Sequence, residues 1–265
     1  VIYKIIGGET FEENDFFFHN NLFHSFLHHG SFSRENLSDV LSNANKVLSD
    51  TSIQLKKADV LLVTFGTAYL YREKNSGEVV SNCHKLPSNH FTRERVTVTK
   101  TVEVWCKLIA LLLQMQPKLT IIFTVSPIRH FKDGAHANQL NKSILHLAIN
   151  EIIEQYPQNC EYFSAYEIMI DQLRDYRFYM DDMLHPSELA QNYIWKRFRQ
   201  TYFSDKTEQI ITEWQKIHLA LSHKPQNRAS EAYQNFIHRT IKEIKANTKL
   251  EILQTGIDGT SGILH

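Results

Sequence analysis

The chain has 265 residues, of which 42% are hydrophobic, so it can bury one sizeable core. Basic and acidic side chains balance at 29 each, and we therefore expect neither a nucleic acid nor an anionic membrane as partner. No apolar run is long enough to span a bilayer. Three scattered cysteines without a C-x-x-C pair indicate neither a disulfide framework nor a zinc site, which favours a reducing compartment and predicts a cytoplasmic protein without a cofactor.

The first half of the chain predicts a helix followed by a strand. Ser33 is a candidate N-cap, and apolar residues recur at helical spacing from Leu37 to Leu48. "ADVLLVTFG", residues 58–66, is a continuous apolar run of the kind found in strands that are buried on both faces of a parallel sheet. The turn residues at 75–77 predict a hairpin after it.

The pattern then repeats. The remaining elements alternate in type: a helix at 97–116, a strand at 118–125, a helix at about 137–156 and a short strand at 160–165. Alternation of this kind predicts an α/β fold, an αβα sandwich whose parallel sheet carries its site at the carboxyl ends of the strands.

From about residue 187 the chain reads as helices alone. We therefore predict an α/β domain over residues 1–200 and a helical C-terminal extension over 201–265. The best loop in the extension is 222–230. Four apolar residues of the extension, Trp214, Ile217, Leu221 and Phe236, are expected to form a packed helical stripe.

Two Asp-x-x-His motifs occur in the chain, and spacing alone does not choose between them. Asp133 and His136 form the first, and Asp182 and His185 form the second. The second follows the last predicted strand and precedes a helix, a position from which a carboxylate and a general base reach the strand ends. The alternative is structural, with Asp182 capping the helix and His185 packing under Pro186.

Five long segments resemble the GSCFA family in the right order. They are "FHNNLFHSFLHHGSFS" at 18–33, "FGTAYLY" at 65–71, "NCHKLP" at 82–87, "VSPIRHFKDGAHANQLNKSILHLAI" at 125–149 and "YEIMIDQLRDYRFYMDDMLHPSELAQNYIWKRF" at 166–198. The family is similar to the SGNH hydrolases, αβα sandwiches in which a serine after the first strand works with a C-terminal Asp-x-x-His. The resemblance implies that Asp182 and His185 are those two triad members.

The family's Gly-Ser-Cys-Phe-Ala segment, whose serine would be the nucleophile, does not occur in the sequence. Thr10, after the apolar run that begins at Val1, imitates a nucleophile turn but lies out of register with the family. We expect the first strand and its serine to belong to a segment outside this chain. The strand at 59–66 would then be an open edge, unless residues 1–6 pair with it instead.

Two other residues of the chain are candidate nucleophiles. Ser126 follows a buried strand, but Pro127 removes the next N–H, which an oxyanion hole would often recruit. Cys83 would need His185 as its base, because Cys83 and its neighbour His84 point to opposite sides of an extended segment. A packed, unreactive thiol is the simpler interpretation of Cys83.

Oxyanion and substrate contacts are expected around the same strand ends. Where an SGNH hydrolase usually has Gly-x-Asn-Asp, this chain has Gly66 and Thr67 without the asparagine, so Asn82 is a candidate replacement, with a turn role as the alternative. His84 lies beside it. Two residues after the second buried strand, Arg129 and His130, are candidates for binding an anionic or hydroxylated substrate; a salt bridge or a cap is the alternative.

The histidine cluster at 19, 24, 28 and 29 is the densest of the chain. His24 and His28 would share a face of a helix, as zinc ligands do, but no carboxylate is close and the segment is highly aromatic. We therefore expect packing and no metal.

Two function classes follow. The first is an ester hydrolase or acyl transferase that acts on a small molecule or an acylated carbohydrate, with the serine absent from this chain. The second is a non-catalytic fragment or binding scaffold that keeps the fold.

Overall fold

The computed structural model describes residues 1–222 and 235–236. Its strands are β1 (Phe17–His19), β2 (Leu22–His24), β3 (Val60–Phe65), β4 (Tyr69–Glu73), β5 (Val79–Val80), β6 (Phe91–Arg95), β7 (Thr120–Val125) and β8 (Cys160–Tyr162). Its helices are α1 (Ile2–Gly7), α2 (Leu37–Leu55), α3 (Val98–Met115), α4 (Ala135–Gln155), α5 (Ala165–Glu167), α6 (Glu188–Tyr202) and α7 (Asp205–Ser222).

The central sheet has three parallel strands in the order β3-β7-β8. Helices flank it, which confirms the expected α/β sandwich. A second sheet, β5-β4-β6, is antiparallel and contains the predicted hairpin, because Tyr71 and Arg72 of β4 pair with Val80 and Val79 of β5. Strand β6 and the β1-β2 hairpin were not predicted from the sequence.

One face of the central sheet packs against α3 and α4 in a continuous core. Strands β3 and β7 contribute to it through Leu61, Val63, Phe65, Ile121, Phe123 and Val125, and the helices contribute Ile109, Leu112, Ile149 and Ile152. In-register residues of parallel strands share a face, so these strand residues alternate with those of the opposite face. The apolar periodicity of both helices follows from this contact.

On the opposite face of the sheet the β7 side chains are buried or partly buried and the β3 side chains are exposed to solvent. Ile122 is only 4% exposed, whereas its partner Leu62 is 57% exposed and Val60 is 51% exposed. The prediction that β3 is buried on both faces is therefore wrong. Within the described part of the chain β3 pairs with β7 alone, so β3 is an edge strand, as expected from the sequence. Residues 2–7 form α1 and do not supply a substitute strand.

Helix α2 begins later than the sequence predicts. Its N-cap is Asn36, not Ser33, because the Ser33 hydroxyl is engaged elsewhere, 2.7 Å from Nδ1 of His24. The remaining helices and strands lie within a few residues of their predicted positions.

The chain divides into two compact units, Val1–Gln191 and a second that begins at Asn192. In the second unit Arg199 of α6 donates to Glu208 of α7, and Trp195 stacks on Phe198. The side chains of Ile217 and Leu221, the predicted loop at 222–230 and most of the predicted final helix lie outside the described residues. Of the predicted stripe, Trp214 is partly buried and Phe236 is exposed.

Candidate functional site

A closed loop between the last strand and α6 carries the second Asp-x-x-His motif. The N–H of Met180 donates to the carbonyl of His185 at 2.8 Å, and the N–H of Ser187 donates to Phe178 at 2.8 Å. Tyr179 and Pro186 form an antiparallel bridge between these bonds. The two ends of the loop are thus tied together, and the motif residues lie at its tip.

Asp182 organises the tip through its side chain. Its Oδ1 accepts the backbone N–H groups of Leu184 and His185 at 2.8 and 2.9 Å, and its Oδ2 lies 2.5 Å from Nδ1 of His185. These bonds, the backbone ones first, lower the pKa of Asp182 to about 2. Met183, between them, has a φ of 58°, a left-handed conformation that non-glycine residues adopt mostly in special turns.

The first Asp-x-x-His motif is arranged differently. Both carboxylate oxygens of Asp133 accept from the Arg93 guanidinium of β6, which also stacks over the Tyr69 ring with 3.6 Å from Cζ to the ring centroid. The arginine lowers the pKa of Asp133. The carboxylate of this motif therefore pairs with an arginine of the second sheet and not with His136.

Arg129 joins the loop after β7 to the loop that carries His185. Its Nη2 donates to the Tyr179 hydroxyl at 2.9 Å, and its Cζ lies 4.3 Å from the centroid of the same ring. Tyr179 is bridged to Pro186, next to His185. The carboxyl end of β7 is thereby attached to the Asp182 and His185 pair.

His130 lies at the carboxyl end of β3, next to Gly66. Its Nε2 lies 3.8 Å from the position that a Cβ on Gly66 would take, and its backbone N–H donates to Oδ1 of the buried Asn138 at 2.9 Å. Burial lowers the pKa of His130, the charges of Lys142 and His185 add to the effect, and Asp133 opposes it. The imidazole next to Gly66 is therefore neutral at neutral pH.

Lys142 of α4 is buried directly below this region. Its ammonium donates to the carbonyls of Gly66 and Ser126 at 2.6 and 2.7 Å, so that it bridges the carboxyl ends of β3 and β7. Burial lowers the pKa of Lys142 to about 8. Sequence reasoning missed both Lys142 and Asn138. The available signal was two polar residues on the α4 stripe that otherwise reads Leu145, Ile149 and Ile152.

The segment at 82–84 has local contacts. Oδ1 of Asn82 accepts the backbone N–H of His84 at 2.9 Å, which is the turn role that the sequence offers as its alternative. His84 is buried, with Nε2 2.8 Å from the Ser25 carbonyl and its ring 4.5 Å from that of His24. Burial raises the pKa of the Cys83 thiol, which disfavours the thiolate.

The remaining hydroxyl candidates also make local bonds. The Ser126 hydroxyl accepts the N–H of Ile128 at 3.3 Å, and the Thr67 hydroxyl accepts the N–H of Tyr69 at 3.3 Å. Thr10 follows α1 rather than a strand and lines an open hollow with Lys4 and Glu9. The helix before Thr10 agrees with the expectation that this segment only imitates a strand and nucleophile turn.

The histidine cluster does not form a helix face. His24 belongs to β2, where its Nε2 lies 3.0 Å from the carbonyl of His19, and His28 lies in the following loop with its ring against Phe11 and Phe32. In the part of the chain that the structure describes, no group of three or more His, Cys, Asp or Glu side chains could hold a metal ion.

Comparison with protein-family models decides the family. The model of the GSCFA family matches residues 1–198, and the model of the GSCFA domain protein, C-terminal domain, matches residues 214–252. The chain belongs to the GSCFA family. No curated protein and no solved structure matches this GSCFA chain. Among its described helices none is both long and apolar enough to cross a bilayer.

Proposed function

We propose that this GSCFA protein carries the base and the orienting acid of an SGNH-type ester hydrolase or acyl transferase. The observation that carries the proposal is the 2.5 Å contact between Nδ1 of His185 and Oδ2 of Asp182. A carboxylate that accepts from Nδ1 fixes the tautomer in which Nε2 has a free lone pair. Nε2 is then the atom that takes a proton from an attacking hydroxyl.

The pair supplies one complete proton cycle. As the nucleophile oxygen bonds to the acyl carbon, its proton moves to Nε2 of His185, and Asp182 stabilises the imidazolium without taking the proton. A carboxyl group with a pKa of about 2 remains ionised throughout. The proton then passes from Nε2 to the alcohol oxygen as the ester bond breaks. The nucleophile in this proposal is the serine of the family's Gly-Ser-Cys-Phe-Ala segment, which does not occur in the 265 residues.

The oxyanion contacts in this proposal come from the segment after β3. Gly66 and Thr67 follow the strand directly, and His130 rests against Gly66. Asn82 remains a weaker candidate, because its side-chain oxygen already serves a turn. Ser126 and His84 remain candidates for substrate contacts only.

The substrate in this proposal is a small acylated molecule, with acylated carbohydrate as one class. Support comes from Arg129, whose Cζ lies 4.3 Å from the ring centroid of Tyr179 and 5.7 Å from that of the exposed Tyr176. An arginine and an exposed aromatic ring together can bind hydroxyl or anionic groups and the flat face of a sugar ring. Balanced charge and free cysteines support a protein of the cytoplasm without a nucleic-acid partner.

Hydrolysis of p-nitrophenyl acetate tests the proposal with two proteins. The first is the 265-residue chain, which should act no faster than its His185→Ala variant, because removing the base changes nothing when the nucleophile is missing. The second, here called the serine-extended protein, has a strand-and-turn segment containing Gly-Ser-Cys-Phe-Ala fused before Val1.

The serine-extended protein should hydrolyse the ester, and its His185→Ala variant should lose roughly 10²–10⁴-fold in rate. His136→Ala is the matched control from the other motif. A serine-extended protein that is no faster than the chain alone would support the binding scaffold. A loss of rate on His185→Ala in the chain alone would show that one of its own residues, Ser126 or Cys83 first, is the nucleophile.

A further inference from the structure

The hydrogen-bond ladder between β3 and β7 ends at the carboxyl ends of both strands. Its last bond runs from the N–H of Ser126 to the carbonyl of Phe65 at 2.8 Å. The next bond of a parallel ladder would run from the Thr67 N–H to the Ser126 carbonyl, and in the described part of the chain that bond is not formed. The carbonyls of Gly66 and Ser126 would be left as inward-facing acceptors without a partner, a costly arrangement in a protein interior.

Lys142 supplies the missing donors. Its ammonium reaches both carbonyls, at 2.6 and 2.7 Å, from a side chain that is 1% exposed. No carboxylate pairs with this ammonium among the described residues. Burying a charged ammonium costs more free energy than burying an uncharged hydrogen-bond donor. If the two strand-end carbonyls needed only a donor for stability, an uncharged side chain would stabilise the fold more.

The cation acts on the peptide that joins Gly66 to Thr67. In a trans peptide the C=O and N–H point in opposite directions, and the chain has no cis peptide bonds in its described part. A Gly66 carbonyl held by Lys142 therefore aims the Thr67 N–H away from the ammonium. A positive charge on the carbonyl oxygen also strengthens the N–H as a donor. Among the described residues no group accepts this N–H.

We propose that Lys142 is a positioning residue that turns the Gly66 to Thr67 peptide into an anion-binding donor, with the Thr67 N–H as the group that contacts the acyl oxygen. This inference rests on the proposed function, since it assigns the oxyanion contact of that site. Lys142 does not touch the substrate. It acts through the peptide, as the geometry of buried carbonyl and outward N–H requires.

The charged and titratable groups around Lys142 are few. His130 lies over Gly66 on the β7 side, His146 follows one turn later on α4, and the Tyr166 ring centroid is 6.0 Å from Nζ. Burial lowers the pKa of both histidines, and the positive charge of Lys142 lowers them further, while Asp133 opposes the shift of His130 and Glu167 that of His146. Between pH 7 and 9.5 Lys142 is therefore the group of this set whose charge changes, with a midpoint near pH 8.

Acetate, the carboxylate product of acetyl ester hydrolysis, is the probe. Amide NMR on the 265-residue chain should show a saturable shift of the Thr67 N–H on acetate titration. Lys142→Met removes the charge and is one atom shorter than lysine, and it should raise the apparent acetate Kd at least fivefold. Lys142→Arg should restore part of the affinity. Leu145→Met, one turn away on the same buried face, is the control and should leave the Kd within twofold of the wild-type value.

A pH series on the wild-type chain tests the same inference without a substitution that could unfold the protein. The acetate affinity and the Thr67 amide shift should both fall between pH 7 and 9.5 with the midpoint of the Lys142 Cε resonance. A Thr67 amide that ignores acetate while Lys142 titrates overturns the inference, as does unchanged affinity in a folded Lys142→Met variant. If Thr67 responds but ester hydrolysis by the serine-extended protein does not depend on His185, the inference holds and the proposed function fails.

Discussion

Two segments with the same Asp-x-x-His spacing have different structures in this molecule. In the segment 182–185 the aspartate contacts the histidine of its own motif. In the segment 133–136 the aspartate accepts hydrogen bonds from Arg93 of the antiparallel sheet. The spacing is identical, so the difference lies in the backbone between the two residues.

Backbone geometry explains the difference. In the second motif Asp182 accepts two N–H groups within the turn, and the left-handed Met183 brings the imidazole back over the carboxylate. In the first motif Gly134, with a φ of 87°, separates a short 3₁₀ turn from the start of α4, so Asp133 and His136 belong to different elements. A motif of two residues becomes a pair only where the turn between them closes.

The largest expected effect separates the two histidines. In the serine-extended protein His185→Ala should reduce the rate of ester hydrolysis by roughly 10²–10⁴-fold, because it removes the general base. His136→Ala should change the rate by less than about threefold. Rates on p-nitrophenyl acetate provide the measurement. Equal losses of rate in both variants would contradict the assignment of His185, rather than His136, as the general base.

The two aspartates should separate activity from stability. Asp182→Asn should slow hydrolysis by about 10²-fold or more, because the histidine loses its orienting acceptor. Asp133→Asn should leave the rate within about threefold but lower the melting temperature by about 2 °C, because it releases the Arg93 guanidinium. Hydrolysis rates and thermal unfolding followed by circular dichroism give both values. A larger rate loss in Asp133→Asn than in Asp182→Asn contradicts the assignment.

A smaller effect is expected where Arg129 anchors the second motif. Tyr179→Phe removes the acceptor of Arg129 Nη2, a single hydrogen bond of about 0.5–1.5 kcal/mol, so kcat should fall roughly two- to tenfold. Tyr176→Phe is the matched control, because its ring lies beside the same guanidinium at 5.7 Å. An equal fall of kcat in both variants would show that the bond to Tyr179 has no special role.

The smallest effect concerns the acid titration of Asp182. In His185→Ala the pKa of Asp182 should rise from about 2 but stay below its ordinary value, because the two backbone bonds are the larger causes. The folded-state pKa is depressed, so the contribution of Asp182 to stability is present above the ordinary pKa and is lost as the pH falls toward about 2. A ¹³Cγ titration measures the shift. No rise in the variant would mean that the imidazole contact is absent in solution.

Much of the fold follows from local pattern. The apolar run at 58–66 and the one at 118–125 were identified as strands because their length and flanking residues allow little else, and β3 and β7 confirm both. Burial was harder to predict. Val60 and Leu62 are residue types that also occur in strands buried on both faces. Their exposure depends on which other elements pack on that face of the sheet. Strand β6, "FTRER", carries too few apolar residues to show a strand pattern.

In the candidate site, too, local contacts could be predicted and contacts between remote residues could not. The pairing of Asp182 with His185 was predicted from the position of the motif along the chain together with the resemblance to the family, since the motif alone fits a structural role as well. The role of Lys142 was not, since it depends on carbonyls at Gly66 and Ser126 that are remote in sequence. The partner of Asp133 could not be predicted either, because Arg93 is remote in sequence and lies on β6, a strand that the sequence pattern does not indicate.

The tautomer of His185 tests the central claim most directly. Long-range ¹H–¹⁵N NMR of the 265-residue chain at pH 8.5, where an ordinary imidazole is neutral, distinguishes the two ring nitrogens. We predict a protonated Nδ1 facing Asp182 and an unprotonated Nε2, and in Asp182→Asn a loss of that preference. A His185 ring protonated at Nε2 in the wild-type chain would contradict the account, because that nitrogen could then accept no proton from a nucleophile.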